Sequence, residues 1–257
     1  MRNPKIEFDK LQMYFGEPYV IDFPDVKGVI TIYQPTIGDV VALGESIFNA
    51  TLRIFTTNTT ANRLELWKSG LDWNIVSDFE LFCMLYRSIN NKASKLIFKD
   101  LDFSLFKVLP RDVNGETVIY LYDEEHDIEI NENVYHHISQ YLRNVFNTFP
   151  EEKITTDEIM KKWFIRKDER QLEIDKNKKD EDVDKNSIQP LISACVNHPG
   201  FKYKLSELKN VGICEFYDSV QRLQVYENTT SLMKGMYSGM IDSKKIRPED
   251  YNFMKKI

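Results

Sequence analysis

The sequence predicts a helix-dominated α+β protein with one or two small β-hairpins, a helical core and a helical C-terminal module. Three observations predict it. Apolar residues recur at intervals of three and four, as in Val134, Ile138, Leu142 and Val145, which places each set on one face of an α-helix. Two pairs of β-prone runs lie on either side of turn-rich connections, the pattern of antiparallel hairpins. Apolar residues make up 42% of the 257 residues and charged residues 29%, so the chain can build a core and stay in solution, and 12% aromatics argue against global disorder.

Residues 1–18 have weak periodicity and end in the turn signal Gly16-Glu17-Pro18. Tyr19–Phe23 and Val29–Tyr33 then read as a hairpin whose connection, Pro24 to Gly28, is longer than two residues. Thr36 is a good helix cap, and Asp39 sets a carboxylate near the positive end of the helix dipole. A single helix is expected from there to about Phe55, with Ile37, Val40, Val41, Gly44, Ile47, Phe48, Leu52 and Phe55 on one broad face.

The Thr/Asn cluster TTNTTANR connects this helix to one bearing Leu64, Leu66 and Trp67, which ends at Gly70 in a left-handed cap. Ser77 or Asp78 caps the next helix, DFELFCMLYRSIN, which is apolar almost all round and so belongs in the centre of a domain. From Lys95 to Ile130 the pattern changes: Leu101, Phe103, Leu105 and Phe106 are dense without clear period. Val118–Tyr122 and Asp127–Ile130 read as strands joined by an acidic turn, and Asn131 caps the helix ENVYHHISQYLRNVFN.

Thr155 and Glu158 have capping-box spacing ahead of a helix containing Ile159, Trp163 and Phe164. That helix enters the most charged part of the chain. Fifteen of the twenty residues from Arg166 to Lys185 are charged, seven basic and eight acidic, the composition of a solvated helix or a linker. The expected organisation is therefore an N-terminal globular α+β domain over 1–165, a charged connector over 166–186, and a helical C-terminal module over 187–257.

In that module Ile188 to Val196 is a short helix stopped by His198-Pro199-Gly200. Ser206 is expected to cap a second short helix, and a longer one follows Gly212. Ile213, Phe216, Val220 and Leu223 make one apolar stripe, and Met233, Met236 and Met240 continue the spacing beyond a break at Asn228-Thr229-Thr230. The plainer reading of these residues is an ordinary core helix pair. The sharper one makes the seven a docking surface for another subunit, since Met packs adaptably at surfaces that accept partners.

No pattern of catalysis stands out. The adjacent His136 and His137 point about 100° apart on a helix and share an ion poorly; HExxH is absent. Cys83, Cys195 and Cys214 are widely spaced in apolar surroundings and read as reduced core thiols. His198 reads as a turn residue, and the run Asp123, Glu124, Glu125, Asp127 lacks calcium-loop spacing. GxxxxGK[ST], GxGxxG and GxSxG do not occur, so no cofactor, no metal and no enzymatic role is expected. A net charge of −6 matches a polyanion poorly, which argues against nucleic acid. No apolar run has the length of a membrane span, and MRNPKIEFDK lacks the apolar core of a signal peptide, so a cytoplasmic protein is expected.

Three segments, YQPTIGDVVALGE, NRLELWKSGLDWNIVSDFELF and VNHPGFKYKLSELKNVGICEFYDSVQRLQVYE, resemble proteins of the tail-morphogenesis region of phages and prophages of Gram-positive bacteria, nearest to their tail assembly chaperones. The resemblance implies no catalysis. It implies binding to phage tail proteins, the tape measure protein above all, during tail assembly, by helix-in-groove contact. A structural virion component (neck, tail or baseplate subunit) is the alternative in the same class, an enzyme or host-directed regulator the alternative outside it, and self-association stays open.

Overall fold

The computed structural model describes residues 5–113, 115–177, 188–242, 244 and 246–255. Helices dominate it, with two small antiparallel sheets, as an α+β protein. The first sheet pairs β1 (Tyr19–Ile21) with β2 (Ile30–Ile32), Ile21 opposite Ile30. The second has the order β3 (Lys107–Val113), β4 (Glu116–Asp123) and β5 (Ile128–Ile130), with Leu121 opposite Ile130. The sheets meet where the Glu129 N–H donates to the Lys27 oxygen at 2.9 Å. Gly28 adopts φ +77° there, where a side chain would also crowd Asp127 and Ile128.

α1 (Lys10–Tyr14), capped by Asp9, lies in a stretch whose sequence shows no clear period. The helix expected from Thr36 to Phe55 is two: α2 (Ile37–Leu43) and α3 (Glu45–Thr56), parted by Gly44 at φ +101°. Only glycine takes that backbone cheaply. The Thr36/Asp39 box closes as expected, and Ser77 and Glu80 make a second one on α5 (Asp78–Leu85). α4 (Arg63–Lys68) ends in a Schellman motif: the Gly70 and Leu71 N–H groups donate to the Trp67 and Leu66 oxygens. α6 (Asn91–Phe98) and β3 occupy the stretch without clear period. α7 (Glu132–Val145) is capped by Asn131, and its stripe Val134, Ile138, Leu142 and Val145 is buried.

α8 spans Glu158–Asn177. Thr155 and Glu158 do not form the expected box: Thr155 accepts from the Asp157 N–H, and Asp157 itself caps the helix through the Ile159 N–H at 2.8 Å. Of the expected connector, residues 166–177 are the rest of this helix and 178–186 lie outside the described residues. α9 (Ile188–Val196) follows. The short helix expected after Ser206 is a single 3₁₀ turn, Leu208–Asn210, and Glu207 rather than Ser206 closes the loop before it by accepting from the Lys204 N–H. α10 (Ile213–Tyr237) runs unbroken through Asn228-Thr229-Thr230. The low helix propensity of these residues costs only about half a kcal/mol each, and Thr229 is buried.

The main core centres on Phe55, whose ring lies 5.5, 5.1 and 5.2 Å from those of Phe82, Phe98 and Phe103. It extends without interruption to Ile188, Cys195, Leu208, Val211, Ile213, Phe216 and Val220, so the chain on both sides of the charged stretch shares it. Backbone contacts join the two parts. Thr36 and Gly212 form an antiparallel bridge, with the Ile37 N–H donating to Val211 and the Ile213 N–H to Pro35 at 3.0 and 3.1 Å. Arg143 is buried on α7 and donates to the Thr56 and Thr57 oxygens at 2.8 and 2.7 Å, which closes the end of α3. A smaller, separate cluster of Leu64, Leu66, Trp73, Leu81 and Ile165 seats α8.

Candidate functional site

The residues singled out as a partner surface separate in the structure. Ile213, Phe216 and Val220 are buried in the main core, Phe216 completely (0% exposed). Leu223 is half-buried beside a groove of about 540 Å³ shared with Phe201 and Tyr226. Met233 and Met236 are half-buried near the end of α10. Met240 lies beyond the helix, which ends at Tyr237, so the spacing does not carry it onto the same stripe; it is 87% exposed.

The groups with chemical potential are engaged in structure. His137 Nδ1 lies 2.7 Å from the Tyr19 hydroxyl, and burial, with His136 adding to it, lowers its proton affinity. His198 accepts from the Gly200 N–H and faces Glu227 at 3.2 Å, which fits the turn reading. Asp123 is buried in its hairpin turn, where it accepts from the Glu125 N–H and meets His126 Nδ1 at 2.7 Å. All three cysteines are free thiols. Among the described residues no group of three or more His, Cys, Asp or Glu could hold a metal, and no helix is long and apolar enough to cross a membrane.

α8 offers a different kind of surface. Its inner side is fixed by Ile165 in the smaller cluster and by two polar clamps. Arg63 grips Asp168 with two hydrogen bonds of 2.5 and 2.6 Å, and the Lys161 ammonium lies 2.7 Å from Asp72 and 2.8 Å from Glu158. A helix so held presents its other side outward at a fixed angle. There Ile159 (78% exposed), Met160 and Trp163 (52% exposed) stand in solvent. In neighbouring loops Ile75 and Ile154 are also exposed, and these loops are tied together by the Thr155 N–H donating to Asn74 at 3.2 Å. Single exposed apolar residues are ordinary; several on one helix held by side-chain clamps make a candidate interaction surface.

The sequence places Ile159 and Trp163 on this helix without marking them as a surface. Their spacing of four was the available signal. What it lacked was the knowledge that Lys161 and Ile165 face inward, which turns Ile159 and Trp163 out.

A family model described as the YomV second domain matches residues 176–257, a segment that contains α9 and α10. YomV is a Bacillus phage or prophage protein, so this part of the chain is similar to a phage-related domain. Comparison with curated proteins and with solved structures found no match.

Proposed function

We propose that the chain is a non-enzymatic phage tail assembly chaperone, and that it holds the helical tape measure protein on the outward face of α8 during tail morphogenesis. The observation that carries this reading is the clamped α8 helix with Ile159, Met160 and Trp163 turned to solvent. Covering a large apolar side chain is worth about 1.5–3 kcal/mol, so the face favours a partner with an apolar stripe of its own. The match of the C-terminal segment to a phage-related domain supports the phage setting. The resemblance of YQPTIGDVVALGE and the two later segments supports the tail-assembly role.

Co-expression with the tape measure protein of the same phage or prophage tests it. The two proteins should co-purify, and Ile159→Asp with Trp163→Asp should end co-purification while leaving the melting temperature of the chain in place. The chain should also be absent from purified virions. Retention in virions would make it a structural subunit instead, and a wild-type chain that fails to co-purify would remove the tape-measure role.

A further inference from the structure

We propose that the outward face of α8 selects an acidic amphipathic helix, a partner chemistry that rests on reading this face as the docking surface. The selection comes from how α8 distributes its charges. Two of its acidic residues in this half are turned inward or engaged: Asp168 is clamped by Arg63, and Glu158 pairs with Lys161. The cations are left outside. Lys162, Arg166 and Arg170 are exposed and make no ion pair among the described residues, and Lys167 stands 5.5 Å from the centre of the Trp163 ring. On the exposed side Glu169 opposes them, Glu158 stays largely exposed beyond its pairing with Lys161, and Glu173 follows Arg170.

A positive belt therefore borders the apolar strip of Ile159 and Trp163, on a chain whose net charge is −6. A helix that buries Leu or Ile against Trp163 and carries Glu or Asp on its flanks would satisfy both features. A second copy of the same face would not, because it would bring Lys162, Arg166 and Lys167 against their own kind. Nucleic acid fits less well: apart from Trp163 the exposed apolar residues here are Ile75, Ile154, Ile159 and Met160, which give successive bases no stacking platform.

The test uses the full chain and two designed helical peptides with the same Leu/Ile stripe, one flanked by Glu and one by Lys. The Glu peptide should bind about tenfold or more tightly than the Lys peptide at low salt, with the gap closing as salt rises. Arg166→Glu, Lys167→Glu and Arg170→Glu together should reverse the preference in a chain that melts like the wild type. Trp163→Ala should weaken the Glu peptide. Equal affinity for the two peptides would overturn charge selection and leave docking standing. Binding of neither would remove both. A mixed-sequence single-stranded oligonucleotide that binds more tightly than the Glu peptide at the same salt would overturn the proposal in favour of nucleic acid.

Discussion

The backbone oxygen of Lys209 occupies the space a side chain on Gly38 would need: a Cβ there would stand 2.6 Å away. Gly38 lies in the first turn of α2, next to the bridge between Thr36 and Gly212 that ties the C-terminal part to the N-terminal part. An alanine in a helix ordinarily gains about 1 kcal/mol over glycine. Here the neighbour is backbone and cannot swing aside, so overpacking of about 1–3 kcal/mol opposes the gain. Gly38→Ala is expected to lower the melting temperature and Gly38→Val to lower it further. A rise with alanine would mean that the 209–213 segment gives way without cost.

Phe216 is fully buried in the core that both parts of the chain share. Phe216→Ala should cost about 3–5 kcal/mol, a fall of roughly 6–20 °C for a chain of this size. Phe216→Asp should cost more, since it adds an unpaired charge in an apolar site. The loss should appear in one transition for the whole chain when followed by circular dichroism. A variant in which residues 5–165 keep their wild-type melting while the C-terminal part unfolds would show that the two parts are independent.

Legibility in the sequence followed how local the determinant was. The caps at Thr36, Ser77 and Asn131 were readable because each joins residues three apart. The stripe of α7 was readable because one face alone is apolar. Gly44 was not, because a helix interior tolerates glycine at about 1 kcal/mol, and only the packing of α2 and α3 demands its positive φ. β3 was hidden by Pro110 and by the charges of Lys107, Arg111 and Asp112. It is an edge strand, where a missing N–H and polar side chains are tolerated. The stripe of α10 was visible, but what covers it was not. On α8 the choice of inner face rests on a buried lysine, Lys161, which composition assigns to the surface.

Cysteine reactivity should be low despite partial access. Burial, then the charge of Glu80, pushes the Cys83 thiol up to about 12, and burial, then Asp218 and Glu215, pushes Cys214 up to about 11. A thiol in a denatured chain titrates near 8.5, so at pH 8 iodoacetamide should label Cys214 on the order of a hundredfold, and Cys83 on the order of a thousandfold, more slowly in the folded protein. Because the folded values are raised, the stability they contribute is complete below the unfolded value. It declines as the pH climbs from about 8.5 towards 11. Labelling of native Cys214 at the denatured rate would show that its thiolate is accessible after all.

The seat of α8 should release in acid. Burial acts to push the Asp72 carboxyl up, but hydrogen bonds from Lys161 and Asn74 outweigh it and hold the carboxyl below its usual range. A depressed carboxylate contributes stability above its unfolded value, near pH 3.9, and that contribution is lost as the pH falls through the folded value. Below that depressed value, hence beneath the ordinary carboxylate range, the Lys161 clamp opens and α8 loosens from the cluster that covers Trp73. Trp73 donates its ring N–H to the Lys153 oxygen just before this helix and is almost wholly buried, so its emission should shift to the red as α8 leaves. Asp72→Asn should remove the titrating group and leave the seat weaker at neutral pH, with a smaller change in emission on acidification. An Asp72→Asn protein whose emission follows the wild-type acid profile would show that the clamp does not govern how α8 is held.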